Sequence, residues 1–377
     1  MSQVHLWAPE LFSTAGGIQA FSGNLLAALK ATLHPLEIRL LLKNDLPSAC
    51  ARRHELSAID GYGDWPQGLK NFAFASACLR HALLDRPRVI VATHVNFGPI
   101  AKMIRHLTRV PYVLVAHGID VWQLSSPAVK RALYTADKVL AVSRYTRDRL
   151  SAETGIRTDH IELLPNAVSS HRFTIGPKPR RLLEQLRLKP ETPVILTVCR
   201  LAAAERYKGY DQIIKALPKI LSAVPNAHYV LVGSGPDRPR VEKLIRESGL
   251  QSNITLTGYV ADEELADYYN LCDIFAMPSK AEGFGIVYLE ALACGKPVLA
   301  GDRDGSRDAL ADGELGLLVD ADDIDEIAGE IIRVLRREHS HPKIFQAELL
   351  RRRVTELYGT ERFQRTVAER VKPFLMA

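Results

Sequence analysis

The first half of the chain alternates short, continuous apolar runs with longer segments whose apolar residues recur every three or four positions. The runs fall at 3–8, 36–42, 88–92, 111–116, 138–142 and 161–164. A strand covered on both faces needs an apolar residue at nearly every position, so these runs predict a parallel sheet. The segments 17–32, 69–84, 97–107, 127–134 and 144–153 carry the spacing of one helical face. From Val168 to Pro179 the pattern lapses into turn residues, which predicts an interdomain linker. A second series follows, with strands at 193–198, 228–232, 253–257, 273–277, 297–300 and 315–319. Its helices lie near 210–223, 237–248, 262–271, 285–294 and 323–336. The stretch from Phe345 is helical and arginine-rich, with Gly359 as its expected break. Two copies of one α/β architecture are expected, over 1–170 and 171–358, followed by a final helix at 359–377.

Composition narrows this picture only slightly. At 377 residues and 47% apolar content, two cores can be filled. The five cysteines are scattered and form no C-x-x-C, which reads as buried thiols in a reducing compartment. Met1-Ser2-Gln3 leads straight into the first apolar run, and no run approaches the length of a membrane span. A cytoplasmic protein is expected, soluble or peripheral on the cytoplasmic face of the membrane. Charge changes the picture more. Residues 1–170 carry 19 basic and 13 acidic side chains, and the remainder carries 30 of each. The basic half is either a surface for anionic lipid or a pyrophosphate-linked acceptor, or a scattered solvated face.

The richest segment runs from Glu282 to Glu290. A loop there turns into a helix, whose first N–H groups and positive dipole end suit a phosphate. The flanking carboxylates repel phosphate and suit sugar hydroxyls. Donors for a diphosphate with acceptors for sugars on either side describe a nucleotide-sugar site. Arg200 and Lys208, on the loop after the strand at 193–198, can neutralise a leaving diphosphate. His117 follows the strand that ends at Ala116, where ligands of parallel sheets bind. Asp120 is a site residue or a cap. Gly16-Gly17 before the first helix allows close backbone approach to a phosphate or sugar, or marks a simple turn. Val232-Gly233-Ser234-Gly235 lacks the third glycine of a dinucleotide fingerprint. Asp302-x-Asp304 and Asp320-x-Asp322 spell D-x-D, but the cations already present argue for turn chemistry over a metal site.

The segment Glu282 to Glu290 resembles the E-x7-E motif of retaining glycosyltransferases with the GT-B fold, most closely those of family 4. The resemblance runs along nearly the whole chain and is weakest between about 44 and 80. It implies two facing Rossmann-like domains with a nucleotide-sugar cleft between them, and a final helix crossing back to the first. It implies catalytic roles for His117, Arg200, Lys208 and Glu282, with His117 and Glu282 on the transferred sugar. It gives Glu290 the ribose hydroxyls and sets the N–H groups of Phe284, Gly285, Ile286 and Val287 against the diphosphate. Gly16 and Gly17 would meet donor phosphates and acceptor, Gly233 the nucleotide, and the backbone of Tyr259 and Val260 the base. Asn166 would lie at the cleft edge. Ser143 is either a cleft residue or a helix cap. Ala167 and Ser169 depart from the family pattern, which has Gly and Asp there.

The expected activity is transfer of a hexose from a UDP- or GDP-sugar to an acceptor hydroxyl with retention. The acceptor expected is a saccharide, foremost a lipid-linked one in cell-surface polysaccharide or glycolipid synthesis. The nucleoside diphosphate sugar is a co-substrate, no metal cofactor is expected, and no nucleic acid partner. Two rivals stand beside this: a nucleotide-sugar epimerase of the same fold, and a non-catalytic sugar-binding subunit.

Overall fold

The computed structural model describes residues 4–13, 16–32, 38–51, 58–122 and 124–376. Gln3 and residues 36–37, the ends of two expected strands, lie outside the described residues. The chain forms two compact units, Met1–Ala167 with Thr360–Ala377, and Val168–Gly359.

Unit 1 follows the order β1 (Val4–Ala8), α1 (Gly17–Thr32), β2 (Ile38–Leu42), α2 (Pro47–Ala51), β3 (Ala58–Gly61), α3 (Gln67–Asp85), β4 (Val89–Ala92) and α4 (Gly98–Thr108). It continues through β5 (Tyr112–Ala116), α5 (Pro127–Tyr134), β6 (Lys138–Ala141), α6 (Arg144–Thr154) and β7 (Ile161–Leu163). The strands form one parallel sheet in the order β3-β2-β1-β4-β5-β6-β7. Strands β1, β4 and β5 are buried at every position; in β1 only His5 is polar, its Nε2 meeting Asp85 Oδ2 at 3.0 Å, and β4 and β5 are unbroken apolar runs. Each such side chain taken from water contributes on the order of 2 kcal/mol, which outweighs the weak propensity signals at the element ends. The chain order reverses between β1 and β4, so the loops after these strands flank a topological switch point.

Unit 2 follows α7 (Arg180–Leu186), β8 (Val194–Val198), α8 (Tyr210–Ala223), β9 (His228–Val232), α9 (Arg238–Glu247), β10 (Ile254–Gly258), α10 (Leu265–Leu271) and β11 (Ile274–Met277). It ends with α11 (Ile286–Ala293), β12 (Val298–Gly301), α12 (Ser306–Ala309), β13 (Leu317–Val319), α13 (Ile324–Leu335) and α14 (Ala347–Tyr358). Its parallel sheet has the order β10-β9-β8-β11-β12-β13, with the switch between β8 and β11. The last helix, α15 (Thr360–Met376), packs on α1 in unit 1. There Phe363 meets Phe21 edge to face, with ring centroids 5.6 Å apart.

The stretch expected as a linker is not a free tether. Phe173 is buried, Gly176 N–H donates to Asn270 Oδ1 (2.9 Å), and Asn270 Nδ2 donates to the Thr174 carbonyl. Arg351 from α14 donates to the carbonyls of Ser170 and Phe173. Turn residues reveal irregular backbone, but not whether distant side chains satisfy it. Four short elements, α2, β3, α7 and α12, were not expected. The edge strand β3 reads Ala-Ile-Asp-Gly, with a single strong strand former.

Candidate functional site

In unit 2 the loops after β8 and β11 meet at the switch point. Lys208 Nζ stands 2.9 Å from Glu282 Oε2, both side chains 16% exposed. Glu205, nearly buried, takes the Arg200 guanidinium and lies 4.0 Å from Lys208. Burial disfavours the Lys208 charge, but the Glu282 carboxylate outweighs it and holds the ammonium well above its ordinary pKa. Arg200 remains largely exposed, with its side chain 72% accessible. The cluster therefore pairs one sheltered cation with one exposed to solvent. The sequence reading gives Glu205 no role. An acid three residues before Lys208 and five after Arg200 was the signal that could have found it.

The Glu282 loop is pinned by a residue with no expected site role. Asp304 Oδ2 accepts from the Glu282 N–H and from Ser279 Oγ, each at 2.7 Å, and Oδ1 accepts from Ser306 N–H at 2.9 Å. Gly305 N–H returns a bond to the Glu282 carbonyl at 2.8 Å. Turn chemistry does operate at Asp304, and it acts across to a second loop. Among the other D-x-D carboxylates, Asp320 pairs with Arg303 and Asp322 with Lys280.

Gly285 opens α11 with φ +88°, and a Cβ there would lie 2.3 Å from the Tyr288 ring. Only glycine tolerates both the left-handed backbone and that approach. Phe284 is buried edge to face against Tyr358, while Ile286 and Val287 are half-buried at the helix start. Glu290 sits two turns from Glu282's loop, buried, accepting from Tyr269 Oη at 2.7 Å. Burial pushes its carboxyl up to about 7, against the opposing Tyr269 hydrogen bond and the Arg172 charge.

Gly233 (φ +138°) packs backbone on backbone. A Cβ would fall 1.8 Å from the Cys199 carbonyl oxygen, which accounts for the glycine without any ligand. The Tyr259 side chain is exposed and Val260 is buried.

In unit 1, His117 lies at the end of β5, its ring edge to face with Phe21 at 4.8 Å. Its Nε2 contacts the Thr93 carbonyl at 2.8 Å, which makes Nε2–H the donor. Burial lowers its pKa, so the ring is neutral at pH 7. Asp120 caps backwards, accepting from the N–H groups of His117 (2.9 Å) and Gly118 (2.8 Å). Ser143 is an N-cap of α6, accepting from Thr146 N–H at 2.9 Å. Asn166 is buried and its Oδ1 has no hydrogen-bond partner. Gly16 and Gly17 are exposed at the start of α1. The stem of their loop is held by buried Asp45, which accepts from the N–H groups of Leu11 and Phe12 and from Ser13. Asp45 lay where the pattern was weakest and was not anticipated.

All five cysteines are buried free thiols. Burial lifts Cys50 to about 11 and Cys199, Cys272 and Cys294 to about 12, and Cys78 well above its usual range. None offers a thiolate at neutral pH.

The structure thus brings together Arg200, Lys208, Glu282 and the α11 start in unit 2, and Gly16, Gly17, His117 and Asp120 at strand ends of unit 1. Two family models match in succession, Glycosyltransferase Family 4 over residues 15–172 and Glycosyl transferases group 1 over residues 180–348. A GDP-mannose-dependent alpha-(1-6)-phosphatidylinositol monomannoside mannosyltransferase of Mycolicibacterium smegmatis is 34% identical over 254 residues, 64% of this chain and 65% of the relative. The match thus spans slightly under two thirds of that relative's length. The protein of the same name from Mycobacterium tuberculosis is 34% identical over 271 residues, 66% of this chain and 69% of the relative. The crystal structure of Anabaena Alr3699/HepE with UDP superposes with a TM-score of 0.80 at 20% identity, covering 99% of this chain and 100% of that one. Two parallel Rossmann-like sheets, matched by both halves of one family and by its fold, make this chain a member of the family 4 glycosyltransferases with the GT-B fold.

Proposed function

We propose that the protein is a retaining hexosyltransferase that takes a sugar from a nucleoside diphosphate donor and delivers it to a hydroxyl of a lipid-linked saccharide. The observation that carries this is the sheltered Lys208–Glu282 pair beside the α11 start. A diphosphate has an ammonium, an exposed guanidinium and helix N–H groups to meet it, and the sugar has Glu282. In the reaction the bond from the anomeric carbon to the diphosphate oxygen breaks, and the leaving group departs with the electron pair. Lys208, Arg200 and the N–H groups of Phe284 to Val287 stabilise that departing charge. The acceptor oxygen attacks from the same face, and its proton passes to the leaving diphosphate. Glu290 receives the ribose hydroxyls, and neutral His117, whose Nε2–H is taken by the Thr93 carbonyl, accepts from the transferred sugar through Nδ1 without adding charge. The charge needed is already present in the side chains, so the reaction proceeds without a metal ion. The mycobacterial relatives are named for GDP-mannose and a phosphatidylinositol mannoside, which makes GDP-mannose the first donor and a mannosylated lipid the first acceptor to try.

A thermal-shift panel of GDP, UDP, GDP-mannose and UDP-glucose, followed by transfer assays with and without excess chelator, tests this. A ligand at a hundred times its dissociation constant stabilises the fold by about 2.7 kcal/mol. We expect stabilisation by a nucleoside diphosphate and chelator-resistant transfer with retained anomeric configuration. Indifference to every nucleotide, or conversion of donor to an isomerised sugar without acceptor, would overturn the reading.

A further inference from the structure

The glycine loop after β9, Val232-Gly233-Ser234-Gly235-Pro236, lacks the third glycine of a dinucleotide fingerprint and is stitched to the loop that carries Arg200 and Lys208. The Cys199 N–H donates to the Val232 carbonyl (3.0 Å) and the Leu201 N–H to the Ser234 carbonyl (2.9 Å), one on either side of Arg200. The Asp237 N–H donates back to the Leu201 carbonyl at 3.0 Å. A Cβ at Gly235 would fall 2.1 Å from that same carbonyl oxygen. Both glycines thus serve to bring one loop against the other.

Asp237 ends this loop at the N-cap position of α9. An aspartate there ordinarily accepts from backbone N–H groups of the first turn, yet this carboxylate caps nothing. Its side chain is 4% exposed and is turned to three other side chains. Arg206 donates through Nε (3.3 Å) and Nη2 (2.9 Å), and Tyr210 Oη donates at 2.8 Å. Arg240 donates through Nε (2.9 and 3.0 Å) and Nη2 (2.6 Å), and is fixed in turn by Asp211 on α8 at 2.9 Å. The Arg240 hydrogen bonds, followed by those of Arg206 and Tyr210, hold the carboxyl well below its ordinary range against the cost of burial. The carboxylate is therefore charged at any pH suited to an assay. Arg206 and Tyr210 bracket Tyr207-Lys208-Gly209. On the other side of this turn, the Lys280 N–H, from the loop after β11, donates to the Tyr207 carbonyl at 2.9 Å. The backbone under Lys208 is thus gripped from two loops, and its Nζ reaches Glu282 from that fixed base.

We propose that Asp237 is a positioning residue for transfer: it holds Arg206 and Tyr210 so that Lys208, between them, stands where a departing diphosphate needs its charge. The inference rests on the proposed reading of Lys208. An ion cluster that only stabilised unit 2 would act on folding and would be indifferent to Lys208. A positioning role makes two different demands. Lys208 meets charge that grows as the leaving group departs, so its misplacement lowers kcat more than it raises KM. Loss of Asp237 then matters only while Lys208 is there to be misplaced.

The test is a double-mutant cycle of Asp237→Asn with Lys208→Ala in the full chain. Arg206→Met is run alongside as a milder variant that leaves Asp237 its Tyr210 and Arg240 bonds. Turnover of GDP-mannose and of UDP-glucose, to a phosphatidylinositol mannoside or to water, gives kcat and KM, with thermal melts as the control. We expect Asp237→Asn to lower kcat at least about tenfold and Arg206→Met at least about threefold, while KM for the donor changes less than about threefold. In the Lys208→Ala background each should change the remaining turnover less than about twofold. Equal fold-losses in the two backgrounds would overturn the proposal, as would wild-type kcat in both single variants. If Asp237→Asn melts below the assay temperature, Arg206→Met decides by the same two readings. Wild-type kcat in Lys208→Ala, or a wild-type chain that turns over neither donor, would sink the transferase reading and this proposal with it. A crippled Lys208→Ala beside an additive Asp237→Asn would sink this proposal alone.

Discussion

The excess positive charge of the chain lies in its first half, yet the cations at a sheet's switch point lie in unit 2, whose half of the chain is balanced. In unit 1 the strand-end histidine brings no positive charge: His117 is held neutral by burial, and Asp120 accepts from two backbone N–H groups. In unit 2, Lys208 keeps its charge in a sheltered place because Glu282 stands 2.9 Å away. The same architecture thus serves two chemistries. Net charge describes a surface, whereas a site depends on which charges are sheltered and paired.

The contrast breaks most sharply at Lys208. Lys208→Ala should lower transfer by a hundredfold or more, as loss of a charge-stabilising donor commonly does. Steady-state turnover with the preferred donor measures it, and His117→Ala measured alongside should cost less if charge is confined to unit 2. Turnover near wild type would dissolve the contrast.

Glu290 sharpens it through pH. Its folded carboxyl titrates at about 7 and its unfolded one near 4.5. The unfolded chain therefore releases its proton first as pH rises. Wild-type stability should fall between about pH 4.5 and 7, by roughly 3 kcal/mol in total, and then level off. Glu290→Gln removes this loss, so its stability relative to wild type should climb across that window. Urea melts at pH 5 and pH 8 read the difference; parallel curves for the two proteins would remove Glu290 as the titrating group.

Gly285→Ala should cost about 1–3 kcal/mol of stability and disturb the α11 start, since its Cβ would press on the Tyr288 ring. Calorimetry with GDP should then show weaker binding, and unaltered affinity would free the loop from any donor role. The smallest effect belongs to unit 1. Ser143→Ala should cost about 1 kcal/mol as a lost N-cap and leave KM for the donor alone. A raised KM with an unshifted melting temperature would make Ser143 a site residue.

The strands and long helices were legible because buried parallel strands need nearly unbroken apolar runs, and β4, β5 and β11 carry them. The E-x7-E segment was legible because its residues are contiguous. What stayed hidden was long-range. Nothing in Asp304 shows that its carboxylate holds the backbone of Glu282, 22 residues earlier, and nothing in Asp45 shows its grip on Leu11 and Phe12. A carboxylate in a polar loop looks alike whether it faces water or a buried N–H. The linker misled for the same reason, because its partners, Asn270 and Arg351, lie far along the chain.

The return of α15 to α1 has a consequence for synthesis. Phe363 covers Phe21, so the first unit cannot close over its own first helix until the 192 residues of Val168–Gly359 have been made. At about 5–20 residues per second this delay is roughly 10–40 s. During it the nascent N-terminal sheet stands with one helix face open beside the ribosome. Unit 2, contiguous in the chain, can complete first, and the second half of the gene then finishes the first half's fold.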